Sequence, residues 1–200
     1  MQQAGMTMWV KPVNLEGQRV RLEPLAERHV EGLAAAGDFP EIWAFYPFKS
    51  GGPDGYAGFA LREKERNPEA QLCFVVIDKE SGSECGCTGF LDIQAANRSL
   101  EIGGTWYTPS VWRTRINSEC KYLLMTHAFE ELKAIRVSLK TDSRNQRSQA
   151  AIERIGARRE GVLRNHMLYP DGYRRASVYF SVIEEEWPEV RARLEAFLDR

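Results

Sequence analysis

Apolar residues recur along the chain with two different periods, and the alternation between them sets out the elements. Arg19-Val-Arg-Leu-Glu23 alternates polar and apolar and stops at Pro24, which predicts a short strand. Ala26 to Ala36 places Val30, Leu33 and Ala34 on one side of a helix closed by Gly37-Asp38. Residues 39–53 are irregular and rich in aromatics. Asp54 is the expected cap of a second helix that runs through Arg66 and ends at Asn67-Pro68. Gln71 to Asp78 is an almost unbroken apolar strand. Gly86 to Gln94 and Leu100 to Tyr107 follow after short polar turns, so the three form an antiparallel meander. Residues 1–17 read as a lead-in that frays or packs loosely.

The second half changes period. Ile116, Cys120, Leu123, Leu124, Ala128 and Leu132 mark one face of a long helix, with Asn117 or Ser118 as its cap. Ile135 to Thr141 alternates as a strand. Its strand–helix–strand connection to Leu100–Tyr107 permits a parallel pair. Asn145 caps a helix from Gln146 to Ile155. Strands Arg158–Tyr169 and Tyr173–Ile183 flank the turn Pro170-Asp171-Gly172, and a terminal helix carries Val190, Leu194 and Phe197. The expectation is one α+β domain with a mixed, mostly antiparallel sheet flanked by helices. Its core covers about residues 14–187, followed by a terminal helix over 188–200.

Two hundred residues suffice for one sizeable core. Lys+Arg 27 against Asp+Glu 28 gives no reason to expect a nucleic-acid partner. No apolar run is long enough to span a membrane, and the N-terminus lacks the pattern of a secretory signal. The four cysteines show no zinc-ligand spacing, so four free thiols in a reducing cytoplasm are expected, with no metal.

The stretch from Leu100 to Leu132 carries the chemistry. A strand that runs through a polar loop into a helix N-terminus presents unpaired amides and a favourable dipole to an anion. Arg113 and Arg115 lie in that loop, which points to a phosphorylated ligand.

Three segments carry a family likeness. They are Leu100-Glu-Ile-Gly-Gly-Thr-Trp106, then Pro109-Ser-Val-Trp-Arg-Thr-Arg-Ile-Asn-Ser-Glu119, and Lys140-Thr-Asp-Ser-Arg-Asn-Gln-Arg-Ser-Gln149 through Gly156-Ala157 to Arg159-Glu-Gly161. With this order of elements, the chain resembles the GNAT superfamily of CoA-dependent N-acetyltransferases, in the branch of the RimJ/RimL type. The resemblance implies that the Leu100–Tyr107 and Ile135–Thr141 strands splay apart. Acetyl-CoA then lies in the gap, its pantetheine on the first strand and its pyrophosphate on the loop amides. The residues so implicated are Trp106, Tyr107, Trp112, Arg113, Thr114, Arg115, Ile116, Asn117 and Ser118, with Asn145 and Ser148 from the later helix. The loop departs from the family pattern. Trp112, Arg115 and Asn117 occupy its three patterned positions, and Arg113 stands where the branch often has glycine.

Acyl transfer to an amine requires a base, stabilisation of the thioester oxygen and a proton for the thiolate. The resemblance implies Glu101 as base, Asn145 as the residue that orders pantetheine or water, and Ser148 as general acid. Each also has an ordinary reading, as an ion pair, a helix cap and a first-turn polar residue. His127 is expected half-buried on the long helix, His29 at the surface, and His166 is a candidate for the acceptor cleft. Arg158-Arg159 and Arg174-Arg175 read as solvated faces. The expected partners are an acyl-CoA and an amine, with a homodimer as one assembly. The acyl group, acetyl or another such as succinyl, stays open, as does a binding role without catalysis.

Overall fold

The structure, a computed structural model, describes residues 8–199. Its strands are β1 (Leu15–Glu16), β2 (Val20–Pro24), β3 (Leu72–Asp78), β4 (Ser83–Gln94), β5 (Ser99–Tyr107), β6 (Arg136–Asp142), β7 (Arg158–Leu168) and β8 (Arg174–Ile183). They form one sheet in the order β1-β2-β3-β4-β5-β6-β8-β7. The helices are α1 (Val30–Ala36), α2 (Tyr56–Arg66), α3 (Ile116–Thr126), α4 (Gln146–Arg154) and α5 (Trp187–Leu198). The expected α+β architecture and the antiparallel meander are both present.

The unbroken apolar run of β3 has a simple cause, because both faces of the sheet are covered there. Leu72, Phe74 and Val76 face a core shared with Leu124 and Met125 of α3 and Leu194 of α5. Cys73, Val75 and Ile77 face a second core with Leu33, Trp43, Ala57 and Trp106. A strand buried on both sides loses the polar alternation that a half-exposed strand keeps.

β5 and β6 are parallel, and they pair only at Ser99–Arg136, Leu100–Val137 and Glu101–Ser138. Beyond Glu101, β5 continues against β4 alone and β6 against β8 alone. The sheet therefore opens into a wedge. On β5, Gly103 pairs with Gly89 and Trp106 with Cys87, which leaves Gly104 and Thr105 opposite the single residue Thr88. This bulge needs glycine. Gly104 has φ +61, and a β-carbon there would collide with the Tyr56 hydroxyl.

Several local expectations are corrected. Neither Asn117 nor Ser118 caps α3; Arg115 is the N-cap residue and no side chain caps the helix. Gly55, not Asp54, precedes α2. The long helix ends its α-helical part at Thr126 and continues as a π-helical turn over His127–Glu131. His29 is buried at 3% exposure, not at the surface. Its Nε2 lies 3.2 Å from Glu23 Oε2, and its Nδ1 accepts from the Ala26 amide at 3.2 Å. A local pattern could not show that Glu23 of the preceding strand would draw the ring inward. His127 is half-buried and stacked on Phe90, as expected. All four cysteines are free and buried.

Candidate active site

The wedge between β5 and β6 is the mouth of a cleft of about 850 Å³. Its walls come from β5, β6, the start of α3, α4 and the aromatic loop before α2. Phe45, Tyr46 and Phe48 of that loop line it, whereas Trp43 fills the second core. Tyr46 donates to the Thr105 carbonyl at 2.5 Å, which ties the aromatic wall to the bulge. Tyr169 donates to the Phe45 carbonyl at 3.1 Å and holds the other side of the loop.

Glu101 sits where the strands part. It is 3% exposed, and Lys140 Nζ donates to its Oε2 at 2.6 Å. Burial pushes its carboxyl above the ordinary range, and the Lys140 charge pulls it part of the way back. A carboxylate so placed is a competent proton acceptor at the end of an apolar cleft.

Asn145 and Ser148 face the same cleft from α4. Asn145 is the helix cap, its Oδ1 accepting the Ser148 amide at 3.0 Å. The cap is thus compatible with a role in the site.

The loop before α3 is built tightly. Trp112 Nε1 donates to the Tyr107 carbonyl at 2.8 Å, and the Arg147 guanidinium stacks on its ring at 4.1 Å. Thr114 Oγ1 donates to the Val111 carbonyl at 2.7 Å. Tyr107 donates to Asn117 Oδ1 at 3.2 Å, which joins the end of β5 to the first turn of α3. Arg113 has φ +63, a backbone shape that favours glycine. Arg113 therefore carries a full side chain on a left-handed backbone.

Trp106, Tyr107, Trp112, Arg113, Thr114 and Asn117 all line the cleft, together with Glu101, Asn145 and Ser148. Three expected binding residues do not. Ile116 lies in the core at 1% exposure. Ser118 is buried and accepts from Arg154 at 3.3 Å. Arg115 Nη1 donates to the Leu198 carbonyl at 3.1 Å, so its charge is turned toward the terminal helix. At Ile116 and Ser118 only backbone groups are left for a ligand. His166 does not line the cleft either; its ring is held by Ser177 and Tyr179. Arg175, expected on a solvated face, lines the cleft instead and donates to the Tyr169 hydroxyl at 2.9 Å.

Sequence reasoning missed Lys121 and Thr105. Lys121 is 6% exposed, and its Nζ donates to Thr105 Oγ1 at 2.9 Å inside the cleft. The available signal was its spacing. Asn117 and Lys121 are four residues apart, so they share a helical face beside the apolar stripe.

Comparison with known proteins fits this geometry. The acetyltransferase (GNAT) domain family matches residues 19–158. YdaF of Bacillus subtilis (strain 168), named for ribosomal N-acetylation, is 36% identical over 106 residues; the match spans 53% of this chain and 57% of YdaF. An acetyltransferase crystal structure from T. thermophilus is 39% identical, with a TM-score of 0.83 over 96% of this chain and all 100% of that one. Mycobacterium smegmatis RimJ, solved with CoA-disulfide, shares the fold at 22% identity and a TM-score of 0.77, over 92% of this chain and 94% of RimJ.

Proposed function

Because the chain belongs to the GNAT acetyltransferase family, we propose that it transfers acetyl from acetyl-CoA to a primary amine by direct attack in a ternary complex. The observation that carries this reading is the wedge. The parallel pair parts after Glu101, and a bulged strand, the loop before α3 and a buried carboxylate all face the gap. The pyrophosphate would rest on the loop from Trp112 to Asn117, with Arg113 and Arg147 supplying charge. The pantetheine would run along β5 toward Glu101, which brings the thioester to the bulge at Gly104–Thr105. Asn145 and Ser148 would hold the arm from α4.

Glu101 takes the proton from the ammonium of the acceptor, directly or through water. The free amine attacks the thioester carbon, and the C–S bond breaks. No cysteine is suited to a covalent intermediate, since all four are buried and burial pushes the thiols of Cys85 and Cys120 up to about 12.

YdaF's name supports a protein N-terminus as the acceptor class. The aromatic wall formed by Phe45, Tyr46 and Phe48 suits the apolar part of an amine-bearing substrate. Edge strand β7 leaves Val162, Leu163 and Leu168 exposed, which supports a homodimer through the closing hairpin. A cytoplasmic location accords with the free thiols.

Calorimetric titration with acetyl-CoA tests the reading, followed by mass spectrometry of ribosomal proteins incubated with enzyme and labelled acetyl-CoA. Binding and a gain of one labelled acetyl group are expected. Absence of binding at millimolar acetyl-CoA overturns the enzyme reading.

A further inference from the structure

Lys121 is a buried cation on which the Glu101 charge acts only at a distance. It projects from α3 into the cleft, and among the described residues it forms no ion pair with a carboxylate. An ammonium has three N–H donors. One is used, on Thr105 Oγ1, and that hydroxyl is fixed in turn by Thr88 Oγ1 at 2.8 Å. Burying a cation with donors unspent is costly unless a ligand completes its shell.

Its position separates two ligand groups. Phosphate would meet the first amides of α3, at Ile116. Lys121 is five residues further on, about 7.5 Å along the helix axis. It reaches Thr105, at the bulge, on the way from the loop to Glu101. With acyl-CoA lying as proposed above, that is where the thioester falls.

We infer that Lys121 is a catalytic residue whose ammonium faces the thioester sulfur of bound acyl-CoA and protonates the departing CoA thiolate. This rests on the reading that acyl-CoA occupies the wedge. The step balances. The amine forms its C–N bond to the carbonyl carbon, and the C–S electron pair leaves on sulfur. Lys121 gives that sulfur a proton and becomes a neutral amine, which is reprotonated from solvent. The acceptor nitrogen gives up two protons, one from its ammonium before attack and one as the new C–N bond becomes a neutral amide; Glu101 takes each in turn, directly or through water, and passes it to solvent.

The groups around Lys121 suit this role. Burial lowers its pKa to about 8, opposed by Cys120 and Glu101. Cys120 neighbours it on α3, and Glu101 and Tyr107 face the cleft from β5. Lys140 of β6 is engaged with Glu101, Arg147 of α4 with the Trp112 ring, and Arg154 with Ser118. A proton held at about 8 is close to the range of an ordinary thiol, so the two groups compete for one proton and titrate as a pair. A serine hydroxyl such as Ser148 could only relay a proton.

The test needs no acceptor. CoA is bound to the whole protein, and the far-ultraviolet absorbance of its thiolate is titrated against the complex with desulfo-CoA. The bound thiol should titrate about 1–3 pH units below that of free CoA, as expected beside a cation. Lys121→Met should abolish the shift, Lys121→Arg should keep it, and calorimetry should show CoA bound by both. A wild-type thiol that titrates like free CoA overturns the inference even if no variant folds. So does an equal shift in Lys121→Met. Failure of wild-type protein to bind CoA at all removes the underlying reading as well.

Discussion

The Lys140 ammonium lies 2.6 Å from the Glu101 carboxylate, across the point where β5 and β6 cease to pair. The pair ties the two splayed strands together and holds the Glu101 pKa partly in check. Lys140→Met should push the Glu101 carboxyl further up, seen by carboxyl-carbon NMR titration. Glu101 titrates above its ordinary value in the folded state, so ionising it destabilises the fold as pH rises through the folded pKa. Lys140→Met should therefore cost about 1–3 kcal/mol at pH 8. The gap to wild type should narrow as pH falls below the Glu101 pKa. Denaturant midpoints at several pH values provide the measurement, and a gap independent of pH would argue against the pair.

Arg113 adopts φ +63 in the loop before α3. Arg113→Gly removes a left-handed strain of about 1–2 kcal/mol, offset in part by the greater freedom of glycine in the unfolded chain. A small net stabilisation is expected in thermal unfolding. CoA affinity should change less than tenfold, because the backbone shape is retained. A larger loss would show that Arg113 makes a direct phosphate contact, beyond the screened charge of an exposed guanidinium.

Arg115 serves the other end of the chain, since its guanidinium holds the Leu198 carbonyl. Arg115→Ala should leave the calorimetric Kd for CoA within about twofold. It should also speed amide exchange in the last turn of α5. A tenfold loss of affinity with unchanged exchange would place the arginine on the ligand.

The four thiols are buried, and burial pushes those of Cys85 and Cys120 up to about 12. Native protein should release less than one equivalent in a thiol-reagent assay and four after denaturation. Rapid modification of the folded protein would contradict this.

Glu23 accepts from Arg21, Arg28 and His29, with Arg28 the largest influence, and its pKa falls to about 2. Its folded pKa is depressed, so its stabilisation is present above the ordinary carboxylate range and is lost as pH falls through that range toward 2. Glu23→Gln should lower stability at pH 7 and converge on wild type in acid, as urea unfolding at pH 7 and pH 2.5 would show; the lower value is about the acid end of that window.

Much of the fold was legible from residue order. β3 read as a strand because both its faces are apolar, and α4 read as a helix because Asn145 could cap it. The caps of α2 and α3 were misread. A short polar residue near a helix start is only one of several ways to satisfy the first amides, and the surrounding loop chooses among them. His29 and Arg175 were misplaced for a related reason. Their positions depend on Glu23 and Tyr169, partners whose approach no local period announces.

The sequence by itself determined the elements, their order and the apolar faces, since these follow from local periodicity and turn chemistry. It also raised the expectation that the loop before α3 is an anion site. Tertiary structure decided where the sheet opens, which arginine of the loop lines the cleft, and that Lys121 and Glu101 face one cleft. Those outcomes depend on strand pairing and on contacts between distant residues, such as Arg115 with Leu198. Only the packed chain brings such groups within hydrogen-bond reach.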